Sequence, residues 1–257
     1  MKKLGFDTKK YLKIQKKAIV DRIKKFDSKL YLEFGGKLID DYHAARVLPG
    51  FAQDAKLQLI LQFKKDAEVI IVVNAYDIEN NKVRVDSNLS YQAEVERLIE
   101  VYSTVGIPIS GVVISMYKES QKIKEFTRLL RHLDVKVFKH YKIDGYPKDL
   151  PKILSKDGLG KNEYVETHRK LVIVTAPGPG SGKMATCLSQ LYHDHLKGKK
   201  AGYAKYETFP IWNLPLKHPV NIAYEAATLD LNDGNMIDPF HLEHYGVMTV
   251  NYNRDIQ

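Results

Sequence analysis

The sequence predicts an α/β fold: a mostly parallel, doubly wound sheet with a P-loop-like strand–loop–helix unit in its second half. Two observations about the whole chain point there. Short apolar runs rich in β-branched residues alternate with stretches whose apolar residues recur at helical spacing, the signature of βαβ units covered on both faces. A chain of 257 residues with 44% hydrophobic content can also bury one large core or two smaller ones. The third observation is local. Residues 170–190, KLVIVTAPGPGSGKMATCLSQ, run from a buried-strand pattern through three glycines and a lysine into a helical pattern.

Taken in order, Leu12, Ile19, Ile23 and Phe26 recur at helical spacing behind Asp7, a good N-cap, and predict a leading helix. Lys9, Lys10, Lys13, Lys16, Lys17, Lys24 and Lys25 crowd the same segment with Arg22, and much of the formal charge of +9 resides there. A basic helix can attract nucleic acid or an anionic membrane, but here the lysines read as the solvated face of a helix packed by its other side. Strands are expected at 30–34, 69–74, 112–115, 136–138, 171–175 and 202–205, with helices at 55–65, 91–102 and 119–132 between them. Residues 144–166 break the rhythm with Gly145, Pro147, Pro151, Gly158 and Gly160, and read as a connection between lobes or a long loop on the active edge. A second irregular stretch, 207–221, holds three prolines around Trp212, and a strand pattern follows Gly246 through Val250. The expected organisation is an N-terminal α/β lobe over 1–145 with its basic leading helix, then a P-loop-like α/β lobe over 146–257 that continues into a further C-terminal half.

In open parallel sheets ligands collect beyond the carboxyl ends of the strands, which would bring Gly35 with Gly36, Asn74 with Asp77, and the glycine loop to one edge. Gly178, Gly180 and Gly182 let successive N–H groups approach an anion at a helix N-terminus, and Lys183 adds a point charge. The loop departs from the Walker A pattern: Pro177 stands where its first glycine belongs, and Met184 where a hydroxyl would hold magnesium. Ser181 and Thr186 are nearby hydroxyls outside that place. The spacing also misses the dinucleotide pattern, since Lys183 occupies the third glycine. The alternative reading is a tight strand-to-helix turn with no ligand.

Polar groups that could complete a site follow the loop. Lys205, Tyr206, Glu207, Thr208, Lys217 and His218 come after a strand expected to lie beside it. Trp212 among its prolines would stack on a base or plug the gap between two loops. Glu225 and Asp230, spaced around an apolar stretch, would hold metal through water or act as a base, or else belong to an ordinary turn. His43, in DDYHAAR with Asp40, Asp41 and Arg46, forms an acid–base or anion-binding constellation, or a surface ion network. The pairs His193 with His195 and His241 with His244 lack a third ligand by spacing, so no metal site is expected. Cys187 is the one cysteine, which excludes an intrachain disulfide; it reads as a packing residue, although a helix N-terminus can lower a thiol pKa. With no apolar run long enough to span a bilayer and no secretion-signal core, the expected compartment is the cytoplasm and no membrane partner is expected.

The segments LYLEFGGKLIDDYHAARVLPGF, VTAPGPGSGKMATCLSQLYHDH, KAGYAKYETFPIWNLPLKHPVNIAYEAATLDL and NMIDPFHLE resemble an uncharacterised bacterial family, domain-of-unknown-function family 1846. The resemblance covers essentially the whole chain. It implies a soluble bacterial protein with a glycine-rich phosphate-type loop, members about twice this length, and Pro177 and Met184 as features of the group. It implies no reaction.

From the residues, the leading expectation is an enzyme that binds ATP or another nucleotide at Gly178, Gly180, Ser181, Gly182, Lys183, Thr186 and Trp212. It would transfer a phosphoryl group or activate a carboxylate of a small metabolite. Lys183, Glu225, Asp230 and His43 are its candidate catalytic groups, and magnesium is compatible although its usual hydroxyl ligand is absent. The second expectation is an enzyme holding a phosphorylated metabolite or cofactor without nucleotide hydrolysis. The third is a non-enzymatic nucleotide- or RNA-binding module, disfavoured because no RNA-recognition signature accompanies the basic helix. The expected partner is a phosphorylated small molecule, and self-association as a homo-oligomer is compatible with the sequence.

Overall fold

Six strands lie parallel in one sheet, in the order β4-β3-β2-β5-β1-β6, with helices on both faces. This computed structural model describes residues 7–26, 29–34, 38–39, 50–84, 87–146, 148–206, 235–237, 242–243, 246 and 250–252. The elements are α1 (Thr8–Ile23), β1 (Lys29–Phe34), α2 (Ala55–Leu61), β2 (Ala67–Asn74), α3 (Ala75–Glu79), α4 (Tyr91–Val105), β3 (Ile109–Ser115), α5 (Gln121–His132) and β4 (Val137–Lys139). Then come α6 (Leu150–Ile153), a 3-10 turn (Leu159–Lys161), β5 (Leu171–Thr175), α7 (Lys183–Leu196) and β6 (Ala201–Tyr206), with β7 (Asn235–Ile237) and β8 (Val250–Tyr252) as a separate antiparallel pair.

The helices begin where side chains replace missing backbone partners. Asp7 accepts from the Lys10 N–H, Ser90 from Ala93 and Ser120 from Ile123, and α4 stops at Gly106 in the left-handed conformation. In α1, Leu12 and Ile19 are buried while Lys9, Lys10, Lys13, Lys16 and Lys17 are exposed, so the lysines do line a solvated face. Strand β2 begins two residues before the apolar run does, because Glu68 is buried and satisfied: it accepts from the Ser110 hydroxyl at 2.7 Å and from the N–H groups of His168, at 2.6 Å, and Arg169.

Direction of travel across the sheet fixes what lies on each face. The connections from β1 to β2, β2 to β3 and β3 to β4 all move one way. Their helices, with α1, cover the face of Leu30, Leu32, Val69, Ile71, Val112 and Ile173. The returns from β4 to β5 and from β5 to β6 cover the opposite face, where Tyr31, Ile70, Val72 and Val174 pack with Val165 and Cys187. One hand of crossover requires this division. As a result β2 and β5 are neighbours whose outgoing connections leave in opposite directions, and the crevice at their carboxyl ends is the topological switch point. The sheet also spans residue 145: β5, from the second half of the sequence, lies between β1 and β2 of the first.

Helix α7 is tethered at its far end by a buried polar group. Both Asp194 oxygens accept 2.7 Å hydrogen bonds, from the Tyr31 and Tyr164 hydroxyls, and Gln190 pairs with the N–H and carbonyl of Val165 at 2.9 and 2.7 Å. Those bonds set the helix against the sheet and so fix where its N-terminus meets the switch point.

Candidate functional site

At the carboxyl end of β5 the chain turns through residues 176–182 into α7. Three glycines make the turn, for two different reasons. Gly180 and Gly182 have φ of 72° and 90°, in the left-handed region that side chains disfavour. Gly178 is required by close approach instead: a Cβ there would stand 2.1 Å from the Tyr91 hydroxyl. Gly182 is crowded as well, since its Cβ would meet Ser115 at 2.9 Å.

Hydrogen bonding in the turn is one-sided. The Ser181 hydroxyl donates to the Gly178 carbonyl at 2.8 Å, the Asn74 amide to Gly180 at 3.3 Å, the Ser115 hydroxyl to Ser181 at 2.7 Å and the Thr186 N–H to Gly182 at 2.9 Å. Asn74 and Ser115 are the last residues of β2 and β3, so the ends of two strands hold the loop carbonyls. The N–H groups of Gly180, Ser181, Gly182 and Met184 meet no protein acceptor among the described residues, and no side chain caps α7. The turn therefore presents the N–H groups of Gly180, Gly182 and Met184 where the helix dipole is positive, while Ser181 is wholly buried.

Lys183 heads α7 and is half-buried. Met184 is exposed, whereas Thr186 is fully buried and its hydroxyl has no hydrogen-bond partner among the described residues. Cys187, one turn on from Lys183, is buried; burial, reinforced by the Glu33 carboxylate, pushes its thiol well up despite the nearby Lys183 charge. It is a packing residue, and the helix end does not make it a thiolate.

A small recess with room for little more than a water molecule lies where β5 becomes the loop, lined by Leu38, Arg84, Glu94, Arg97, Thr175 and Ala176. Glu94 is buried and gathers both guanidinium groups: Arg97 donates from Nε and Nη2 at 2.9 Å each, and Arg84 from Nη1.

Gly178, Gly180, Ser181, Gly182, Lys183 and Thr186 thus stand together at the switch point. His43, Trp212, Glu225 and Asp230 lie outside the described residues, as do Gly35 and Gly36. One expectation is corrected: β6 does not lie beside β5, because β1 separates them. Tyr206, at the end of β6, stacks on Phe34 with ring centroids 4.7 Å apart, away from the glycine turn's strand. His193 is turned to the Asn162 carbonyl at 2.8 Å, and the described residues contain no group of three or more metal-ligating side chains. Three groups escaped the sequence reading. Ser115 and Tyr91 reach the loop from elements remote in sequence. Glu33, nine-tenths buried, accepts from the Tyr203 hydroxyl at 2.6 Å, and a charge inside the apolar run LYLEF was its signal.

Fold and site define a parallel, doubly wound α/β protein with a glycine-rich strand–loop–helix turn at its switch point. The chain belongs to the family described as domain of unknown function DUF1846, N-terminal, whose model matches residues 4–257. It is 55% identical over all its 257 residues to the UPF0371 protein of Streptococcus equi subsp. equi (strain 4047), covering 52% of that protein. It is 54% identical, again over its full length, to the UPF0371 protein SpyM50764 of Streptococcus pyogenes serotype M5 (strain Manfredo) and to a UPF0371 protein of Streptococcus equi subsp. zooepidemicus (strain H70). The chain spans about half the length of these relatives.

Proposed function

We propose that the turn at 178–183 binds the phosphate of a small molecule, ATP or another nucleotide in the first place, and that the whole protein is an enzyme. Its reaction would be phosphoryl transfer or carboxylate activation on a small metabolite. One observation carries this reading: every carbonyl from Gly178 to Gly182 that could repel an anion, apart from that of Pro179, is engaged by a protein donor, while the N–H groups of Gly180 and Gly182 meet no acceptor among the described residues. Catalysis of this kind is mainly positioning and charge neutralisation, which main-chain donors and the Lys183 ammonium supply. Glu225, Asp230 and His43 stay as the proposed acid–base or metal-orienting groups and Trp212 as the proposed base-stacking group. The proposed compartment is the cytoplasm; among the described residues no helix is long and apolar enough to cross a membrane.

The start of α7 favours a second reading. With Met184 exposed in the place of the magnesium-binding hydroxyl and the Thr186 hydroxyl fully buried, the helix offers magnesium no oxygen in the usual position. A phosphorylated metabolite or cofactor, bound without nucleotide hydrolysis, needs none.

Thermal denaturation against ATP, ADP, GTP, pyridoxal phosphate and sugar phosphates, with and without magnesium, separates the two. A ligand at a hundred times its dissociation constant stabilises the fold by about 2.7 kcal/mol. The expected result is stabilisation by a phosphate-bearing compound that Lys183→Ala removes and the double substitution Lys9→Ala, Lys10→Ala leaves intact. Binding by Lys183→Ala equal to that of the parent protein would refute the site. Magnesium-dependent stabilisation by ATP selects the first reading, and stabilisation by a phosphate ester regardless of magnesium selects the second.

A further inference from the structure

Gly178 has no positive φ, so the backbone alone does not demand a glycine there. What occupies the space of its missing side chain is the tip of Tyr91, the first residue of α4. Tyr91 is 4% exposed, its hydroxyl oxygen keeps some contact with solvent, and no hydrogen bond from its O–H to a described residue forms. A phenol buried this deeply usually finds a partner for its proton.

The surroundings of the ring hold the hydroxyl in place. The Tyr91 N–H donates to the Lys82 carbonyl at 2.8 Å, and Val83 bridges Ser90. This puts the Lys82 ammonium 4.7 Å from the centroid of the Tyr91 ring. Asp77, on the short helix that follows β2, holds the same ammonium at 3.1 Å. Burial works against the Lys82 charge, yet hydrogen bonds with Asp77 and Tyr91 and the attraction of both outweigh it, so the lysine stays protonated. The ammonium lies over the ring and can donate but not accept, so the phenol's proton is left to be donated elsewhere.

We propose that Tyr91 is a side-chain donor to the anion held by the glycine turn, with Lys82 and Asp77 as positioning residues that fix and polarise its hydroxyl. The inference rests on the phosphate-binding reading and deepens it. The ligand group at Gly178 is an oxyanion able to accept main-chain N–H bonds from the turn and an O–H bond from α4 together, as a phosphoryl group does. The site then has two walls: backbone donors from the β5 turn, and a neutral side-chain donor from the segment after β2, facing each other across the switch point.

Calorimetric titration with ATP and with inorganic pyrophosphate, each with and without magnesium, tests this on the parent protein, Tyr91→Phe, Asp77→Asn, Lys82→Arg and the pair Asp77→Asn, Tyr91→Phe. Tyr91→Phe should weaken binding of both probes about tenfold, the usual scale for a lost hydrogen bond to a charged group. Asp77→Asn should weaken it several-fold, Lys82→Arg should keep most of it, and the double variant should bind no worse than Tyr91→Phe, because both changes act through one hydroxyl. Undiminished binding by Tyr91→Phe overturns the inference while the phosphate-binding reading stands. A parent protein that binds neither probe under either condition overturns this inference, and one that no phosphate ester stabilises either overturns the phosphate-binding reading with it. Urea midpoints of the unliganded proteins are read alongside: a midpoint for Tyr91→Phe lowered enough to account for its weaker binding also overturns the assignment, and an unchanged midpoint supports it.

Discussion

His140 shows how a single buried residue ties this fold to pH. The ring lies at the end of β4 with 3% exposure; Nε2 donates to the Glu163 carbonyl at 3.0 Å, and Nδ1 has no partner among the described residues. Burial pushes its pKa down to about 4; the carbonyl bond opposes the shift, and the neighbouring His193 adds to it. An unfolded histidine protonates near pH 6.5, so as pH falls the unfolded chain takes up the proton first and the folded state loses stability until about pH 4. The difference over that window is on the order of 3 kcal/mol. Urea midpoints measured from pH 7 to pH 4 should therefore decline more steeply for the parent protein than for His140→Gln. Parallel curves would mean that the imidazole is not held neutral. At this scale the sequence was informative about glycines and silent about their neighbours. Gly180 and Gly182 were legible because a turn needs their conformations. Gly178 was legible as part of the pattern but not for its cause, since Tyr91 lies 87 positions away in the chain and meets it only in the folded state.

Among the elements, α7 carries the loop, and its placement depends on polar contacts at its opposite end. Asp194→Ala would strip the acceptor from two tyrosine hydroxyls, one of them fully buried, and leave both unsatisfied. At about 1–3 kcal/mol for each buried donor the cost is substantial, and equilibrium unfolding should show a loss of roughly 2–5 kcal/mol. A loss under about 0.5 kcal/mol, the range of ordinary surface changes, would mean that the helix is held by apolar packing alone. The pattern of α7 was readable from Leu188 and Leu191, but Asp194 looked like any charged residue near a helix end. The same limit shows at β2, where Glu68 hid the first strand residues from an apolar count. Its burial is tolerated only because Ser110, His168 and Arg169 converge on its carboxylate. Helix α1 was legible throughout, because an amphipathic stripe with a capping aspartate needs no distant partner to be recognised.

Across the whole molecule, the sheet order decides both cooperativity and the position of the site. β5 pairs with β1 on one side and β2 on the other, so a chain ending at residue 145 would leave two central strands with an unfilled gap between them. A fragment of residues 1–145 is expected to show no cooperative unfolding transition by circular dichroism. The 257-residue chain should lose the secondary structure of both halves in one step. An independently folded fragment would show that the first lobe closes without β5. Sequence alone determined the fold class, the strand and helix alternation, the glycine turn and the solvated basic helix, because periodicity, capping and glycine chemistry act over a few neighbouring residues. Tertiary structure alone decided that β5 inserts between β1 and β2, that Asn74 and Ser115 hold the loop carbonyls, and that Tyr91 faces Gly178. Each of these joins residues tens of positions apart, and such contacts come from how the layers pack around one core, which no local pattern encodes.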